Sequence, residues 1–443
     1  MLKTFRLGGI HPPENKLSAA EQIRELPLPP VVFIPVGQHI GAPATPVVQK
    51  GDKVKAGQLI AKSTGFVSAN IHSSVSGTVT KIDQLADTSG YPRTTIVIKV
   101  EGDEWEAGID RSPDLRQDNR LSGSQIVEKI MAAGIVGMGG ATFPTHIKLV
   151  PPRGNKADLL IINGAECEPF LTSDYRLMIE KGREIAVGTQ LLMKALGVEK
   201  AVVGIENNKP EAIQVMAEAV AGLPGITVES LQVKYPQGGE KQLIKALTGR
   251  EVPSGALPVS VGCVVSNVGT AFAVYEAVQK NKPLFERVVT LTGHQVKTPS
   301  NLKVRIGTPL SDLVAFCGGL PDDTGKIISG GPMMGKAVAS LDVPVTKGTS
   351  GVLLIPGEKA LRKPQQACIR CSRCAHACPM GLEPYLLMTL TEKVLWERVE
   401  KERILDCIEC GSCSFSCPAG RPLLDHIRFG KFRVGQLVRS RKS

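Results

Sequence analysis

The chain has 443 residues, which at ~150 residues per domain implies about three domains and excludes a single small module. Hydrophobic residues make up 42% and charged residues 21%, a balance that supports a buried core and excludes a disordered or fibrous chain. Lys+Arg 53 against Asp+Glu 42 leaves +11, suited to an acidic protein or anionic lipid partner, while an aromatic share of 4% argues against nucleic-acid binding by stacking.

No run approaches the ~18 apolar residues that a membrane span requires, and MLKTFRLGGIHPP has no apolar signal core, so the expectation is a cytoplasmic protein. Residues 1–30 read as a Pro-rich extension (Pro12, Pro13, Pro27, Pro29, Pro30). Residues 31–105 alternate β-branched runs with glycine turns (VVFIPVG, GTVTKI, TTIVIKV), which predicts a small all-β domain. Within it VVQKGDKVKAGQLIA and IHSSVSGTVTKI resemble the barrel-sandwich fold of biotinyl and lipoyl domains. The place of their modified lysine reads STGFVSAN and Lys62 falls short of the hairpin tip, so an unmodified barrel used for packing or docking is expected.

Residues 120–285 change period: SGSQIVEKIMAAG is helical, DLLIING and AVVGIE are buried strands, and YRLMIEKGREIAVGTQLLMKAL reads as one long helix. Alternation of this kind predicts an α/β domain with a largely parallel sheet. Glycines 134, 137, 139 and 140 precede the first strand, where backbone N–H groups can approach a phosphate or flavin, with Lys148 as a nearby cation; a plain connecting loop is the competing reading. NGAECEP then places Asn163, Glu166 and Glu168 at a strand's C-terminal end, where open α/β sheets bind ligands. Cys167 between them reads as a small filler rather than a reactive thiol. Residues 286–345 return to short strands around one helix and resemble the β-grasp module of the soluble-ligand-binding type.

Residues 355–426 hold the strongest signal. Cys368, Cys371, Cys374, Cys378-Pro379 and Cys407, Cys410, Cys413, Cys417-Pro418 are two copies of C-x2-C-x2-C-x3-C-P. Three thiolates at this spacing curl around one iron–sulfur cube and the fourth reaches the other cube. The expected ligand sets are Cys368, Cys371, Cys374 and Cys417 for the first [4Fe–4S] cluster, and Cys407, Cys410, Cys413 and Cys378 for the second. Zinc, the competing metal, usually takes two spaced ligand pairs. The 28 residues between Cys378 and Cys407 predict a helix linking the halves. His376 is left out of the ligand sets, and Cys263 and Cys317 read as buried bystanders. The last segment, 427–443, interleaves Arg428, Lys431, Arg433, Arg439, Arg441 and Lys442 with apolar residues, and is expected either to lie on a membrane or membrane partner or to fray in solvent.

GMGGATFPTHIKL, NGAECEP, GGEKQL (238–243) and SNVGTA (266–271) resemble the flavin- and NADH-binding subunit of respiratory complex I. The whole chain, from FRLGGIHPPENK through barrel-sandwich, Rossmann-like flavin domain, β-grasp and helical two-cluster ferredoxin, resembles the RnfC family of the ion-translocating ferredoxin:NAD⁺ oxidoreductases. The resemblance implies that Gly137, Gly139, Gly140, Lys148, Asn163, Glu166, Gly239, Glu240, Asn267 and Thr270 surround FMN, with Phe143 and Glu168 on the NADH side. The chain departs from the complex I pattern at Met138, Ala165 and Lys241. No covalent attachment site is evident, so FMN is expected to be noncovalent and to carry the chemistry without a catalytic side chain. The implied protein is an NADH-linked oxidoreductase subunit, peripheral on the cytoplasmic face of the cell membrane, partnered by NADH/NAD⁺ and by other subunits including an iron–sulfur one. Two alternatives stand beside it: a nucleotide-free wiring and docking subunit, and a cobalamin reductase of the propanediol-utilisation type, against which the far C-terminal place of the cysteine runs argues.

Overall fold

The computed structural model describes residues 2–441; Lys442 of the basic segment lies outside them. The chain forms a mixed α/β structure in successive units. The Pro-rich lead is fixed rather than loose. Lys3 bridges Leu231, Ile10 bridges Tyr235, and Phe5 is buried, before β1 (Ile23–Glu25) pairs in parallel with a strand near residue 300.

The all-β unit comprises β2 (Val31–Pro35), β3 (Thr45–Pro46), β4 (Lys53–Val54), β5 (Leu59–Lys62), β6 (Ile71–His72), β7 (Gly77–Ala86) and β8 (Pro92–Val100). They form two facing sheets, in the orders β2-β8-β7-β4 and β3-β5-β6. The antiparallel register of β2 and β8 puts Val32 opposite Ile98 and Ile34 opposite Ile96, all fully buried. Each such side chain contributes roughly 1.5–3 kcal/mol of transfer free energy. The STGFVSAN hairpin leaves Phe66 exposed but ends on Asn70, which donates to Ala132 O of the next unit.

The α/β unit opens with α1 (Gly123–Ala132), whose N-cap Ser122 and Gln125 form a capping box, and α2 (Thr145–Lys148). Then follow β9 (Leu159–Asn163), α3 (Ser173–Glu180), α4 (Gly182–Leu196), β10 (Ala201–Glu206), α5 (Pro210–Val220), β11 (Ile226–Leu231), α6 (Glu240–Thr248), β12 (Cys263–Asn267) and α7 (Val268–Gln279). The four strands are all parallel, in the order β11-β10-β9-β12. Every residue of β10 is buried, as an apolar run covered on both faces requires. The long helix expected after Tyr175 is two helices broken at Lys181, which leaves the helical region where Gly182 passes close under Val215. Helices α4 and α7 cross at Gly188, where a methyl would overlap the Ala271 carbonyl.

The next unit is a six-stranded mixed sheet, β1-β14-β13-β17-β15-β16, built from β13 (Glu286–Thr292), β14 (Ser300–Arg305), β15 (Thr324–Ser329), β16 (Lys336–Val338) and β17 (Gly351–Pro356), with α8 (Leu310–Phe316) against it. The sheet extends past residue 345, because β17 pairs between β13 and β15.

The short helix α9 (Gly357–Ala360) leads to the cysteine-rich unit: α10 (Arg373–Ala377), α11 (Pro384–Glu392), α12 (Trp396–Lys401), α13 (Ser412–Ser416) and α14 (Leu423–Ser440). The single helix expected between the cysteine runs is two, separated at Val394 in the left-handed region. Residues 427 onward are not a separate tail. They continue α14, whose Ile427, Gly430 and Val434 recur at helical spacing and are buried. Among the described residues no helix is long and apolar enough to cross a membrane.

Candidate cluster and flavin sites

The two cysteine runs fold alike. Arg370 and Ser372 in the first and Glu409 and Gly411 in the second take positive φ (55°, 57°, 58° and 78°), which curls the backbone and turns successive thiols inward. Left-handed non-glycine residues cost ~1 kcal/mol each, so a shape repeated at matched positions is one the surroundings impose. A five-residue helix follows in each run, and Cys378 and Cys417 end these helices in extended conformation, each before proline. The fourth thiol is thereby carried across to the other run.

Cys368, Cys371, Cys374 and Cys417 line one cavity of about 330 Å³, with Tyr385, Arg421 and Leu423 in its wall. Cys378, Cys407, Cys410 and Cys413 line a tighter one of about 20 Å³, closed by Leu382, Leu387 and Ile427. All eight are free of disulfides, Cys368 and Cys371 being exposed and Cys378, Cys410 and Cys413 buried. Burial pushes the Cys407 thiol up to about 11 and Cys413 up to about 12, so bare thiolates are disfavoured there. Among the described residues no three of His, Cys, Asp or Glu close on a single ion. Four free thiols around each of two cavities are a donor set that suits an iron–sulfur core. Backbone N–H groups of Leu382 and Glu409 point at Cys378 Sγ and Cys407 Sγ (3.4 and 3.3 Å).

In the α/β unit the parallel register sets Asn163 beside Asn267 at the C-terminal edge of β9 and β12. Asn267 caps α7, accepting from Gly269 N (2.7 Å) and donating to Asp174 (2.6 Å). The glycine loop lies above this edge. Met138 N donates to Thr270 Oγ1 (2.8 Å), Gly137 N to Phe143 O (2.8 Å), and a Cβ at Gly139 would fall 2.7 Å from Asn267 Nδ2, whereas Gly140 faces open space. Asn163 Nδ2 donates to Gly238 O (2.8 Å), and Lys148 bridges Glu240 (2.7 Å) and Val265 O (2.9 Å), which brings in the α6 N-terminus with Gly239. Two helix N-termini and an open glycine loop on one sheet edge make a cradle that fits a phosphate and a flat ring.

The two glutamates of NGAECEP are engaged elsewhere. Glu166 accepts from Asp174 N and Tyr175 N (2.7 and 3.0 Å) at the start of α3. Glu168 accepts from Met333 N and Met334 N (2.7 and 3.0 Å) in the neighbouring mixed-sheet unit, and burial raises its carboxyl above the ordinary range. Cys167 accepts from Gly238 N at 3.3 Å, and burial pushes its thiol up to about 12, so it is inert packing. Sequence reasoning missed the lysines that hold this loop. Lys16 donates to the carbonyls of Glu166, Glu168 and Leu171 (2.8, 3.0 and 2.6 Å), and Lys209 to that of Ala165 (2.7 Å). The only local signal was HPPENK, whose lysine acts 150 residues away. Asp174 was missed too; burial first, then Glu166, raises its carboxyl.

The two sites meet. Tyr235 donates to Cys410 O at 2.8 Å, Gln242 Nε2 to Pro379 O at 3.2 Å, and Gly9 N to Ala377 O at 3.0 Å. Ile10, Tyr235, Ala377 and Cys410 form one small core with Cys167, Met333 and Ile408 at its edge. The second quartet therefore sits against the α/β unit, and the first faces outward.

Comparison with known proteins agrees along the chain. Family models match for an RnfC barrel sandwich hybrid domain (residues 3–103), a Nuo51 FMN-binding domain (130–276), an SLBB domain (288–337) and a 4Fe-4S dicluster domain (367–421). The chain is 52% identical over 97% of its length, and 94% of the relative's, to the C subunit of the proton-translocating ferredoxin:NAD(+) oxidoreductase complex from Clostridium ljungdahlii. It is 45% identical, over 97% and 96%, to the C subunit of the Na(+)-translocating complex from Acetobacterium woodii. Among solved structures, an NAD+-reducing [NiFe]-hydrogenase aligns over 71% of this chain and 62% of its own at 20% identity, with a TM-score of 0.49.

Proposed function

The chain belongs to the RnfC family of the ion-translocating ferredoxin:NAD⁺ oxidoreductases, and we propose that its cofactor sites are strung in one line from the nucleotide cradle to the protein surface. It is an NADH-linked electron-transfer subunit of the Rnf complex, carrying FMN and two [4Fe–4S] clusters. FMN supplies the conversion between two-electron nicotinamide chemistry and one-electron cluster chemistry. Met138, Gly139, Gly140, Asn163, Gly239, Asn267 and Thr270 shape its cradle, Lys148 supplies a cation held by Glu240, and Lys16 and Lys209 fix the Asn163–Glu168 loop from beneath. By the family's pattern Phe143 and Glu168 belong on the NADH side, Glu168 with its Oε1 held by Met333 N and Met334 N. Cys378, Cys407, Cys410 and Cys413 hold the inner cluster, and Cys368, Cys371, Cys374 and Cys417 the outer. The four-stranded parallel sheet is Rossmann-like, the six-stranded sheet a β-grasp and the cysteine unit a two-cluster ferredoxin. The protein works at the cytoplasmic face of the membrane, held peripherally by other subunits, an iron–sulfur one among them.

The observation that carries this line is the Tyr235–Cys410 hydrogen bond, which seats the inner quartet on the nucleotide unit. Anaerobically purified protein is expected to hold ~8 Fe per chain and one acid-releasable FMN, and NADH to bleach both chromophores. Metal analysis dominated by zinc, or flavin retained in an acid pellet, contradicts the reading.

A further inference from the structure

The two cysteine runs share one backbone shape but not one environment. In the second run, Ile408 joins the small core around Tyr235, a Cβ at Gly411 would fall 2.8 Å from Met333 O, and Glu409 is held by Arg428 and Lys431 (3.2 and 3.0 Å). This is the face seated on the neighbouring units. The matched positions of the first run are Ile369, Ser372 and Arg370. Ile369 is 66% exposed, Ser372 is exposed, and Arg370 makes no side-chain hydrogen bond or ion pair among the described residues. One backbone shape thus serves as an interface once and is bare once, with the acid of the covered copy replaced by a cation in the bare one.

All thirteen residues from 361 to 373 are exposed, and they include four cations (Arg362, Lys363, Arg370, Arg373) and no acid. Arg362 pairs with Asp425, which leaves three without a partner among the described residues. Two ligands of the outer quartet, Cys368 and Cys371, lie within this stretch. Ile369 between the two cysteines, and Leu361, 80% exposed at the start of the stretch, add bare apolar surface beside the cations. Apolar centres hold a protein partner, and rim charges steer it.

We propose that residues 361–373 are the docking surface for an acidic protein carrying a one-electron cofactor, seated over the outer cluster as the α/β unit is seated over the inner. The proposal rests on the reading that Cys368, Cys371, Cys374 and Cys417 hold a cluster. A single electron passes between that cluster and the partner's cofactor, one oxidised as the other is reduced, with no bond made or broken.

The test uses the full chain, reduced anaerobically with dithionite, desalted, and mixed with oxidised rubredoxin as an acidic acceptor or cytochrome c as a basic one. The variant combines Lys363→Glu, Arg370→Glu and Arg373→Glu. Glutamate fits at position 370, since Glu409 has the matching backbone conformation. In the parent, rubredoxin reduction slows steeply with salt. In the variant it falls about tenfold or more while cytochrome c reduction does not fall. Lys363→Glu alone, away from the ligands, lowers the rubredoxin rate about two- to threefold. Equal rubredoxin rates in parent and variant, or a parallel fall with both acceptors at unchanged iron content, overturn the proposal. Because dithionite bypasses the nucleotide cradle, loss of NADH bleaching with a salt-sensitive rubredoxin rate sinks the cradle assignment and leaves the surface standing.

Discussion

Tyr235 joins the nucleotide unit to the inner quartet through both its ring and its hydroxyl. It is 2% exposed, its hydroxyl donates to Cys410 O at 2.8 Å, and its ring packs with Ile10 and Ala377. Burial holds the hydroxyl protonated well above its ordinary range, so it is a donor at every working pH. Tyr235→Phe keeps the ring and removes the hydroxyl that donates to Cys410 O and also faces the Glu168 carboxylate, which costs about 1–2 kcal/mol and multiplies separation of the two units about 5- to 30-fold. Tyr235→Ala adds the cavity, about 3–5 kcal/mol in all, and raises separation more than about a hundredfold. Hydrogen exchange on the cluster-loaded protein reads this directly, because amides protected only by the joint exchange in proportion to the separated population. Peptides covering residues 8–12 and 405–417 are expected to speed up by those factors, while β2 and β8 of the barrel keep their protection. Uniform acceleration everywhere, or none in these peptides, refutes the assignment of the joint to Tyr235.

Glu168→Gln keeps an acceptor for Met333 N and Met334 N, so flavin content is expected to hold while NADH bleaching slows by about tenfold or more; loss of flavin in step with rate places Glu168 in the flavin shell instead. His72 is 6% exposed with an unpartnered Nδ1, and burial holds it down at about 3, so the native state binds fewer protons than the unfolded chain. Its contribution is complete above about pH 6.5 and is lost as pH falls toward 3, by up to ~1.4 kcal/mol per pH unit. His72→Gln should flatten the parent's fall in urea midpoint over that window, and identical slopes count against the argument. Gly188→Ala forces a methyl into the Ala271 carbonyl at the α4–α7 crossing and should cost about 3 kcal/mol; an unchanged melting temperature would mean that the helices slide apart freely.

Local pattern carried much of this architecture. β-branched runs between glycine turns marked barrel strands, the largely apolar AVVGIE marked a buried strand, and the spacing of eight cysteines anticipated which four line each cavity. What escaped was non-local or overshadowed by charge. Lys16 reads as an ordinary charged residue of a Pro-rich lead until the fold brings three carbonyls to it. The cations of the terminal segment drew attention from Ile427, Gly430 and Val434, whose i, i+3, i+7 spacing is that of a buried helical stripe. For that reason deleting residues 427–443 would remove core from the cluster unit, and point substitution at exposed Phe429 and Phe432 is the cleaner probe of peripheral contact. Glu166 and Glu168 do stand at a strand end, but only tertiary structure shows their carboxylates already satisfied by α3 and by the Met333–Met334 backbone.

We propose that each run lends its fourth cysteine to the other, giving one inner and one outer cluster, an exchange that the lining of the two cavities supports and on which the rest of the account depends. Single cysteine-to-serine variants at positions 371, 417, 378 and 410, each reduced anaerobically and examined by electron paramagnetic resonance, test it most directly. The account predicts that Cys371→Ser and Cys417→Ser alter one and the same signal, that Cys378→Ser and Cys410→Ser alter the other, and that NADH still reaches the inner cluster in the first pair. If Cys417→Ser instead alters the signal changed by Cys410→Ser, the crossed pairing and the inner-to-outer order built on it are wrong.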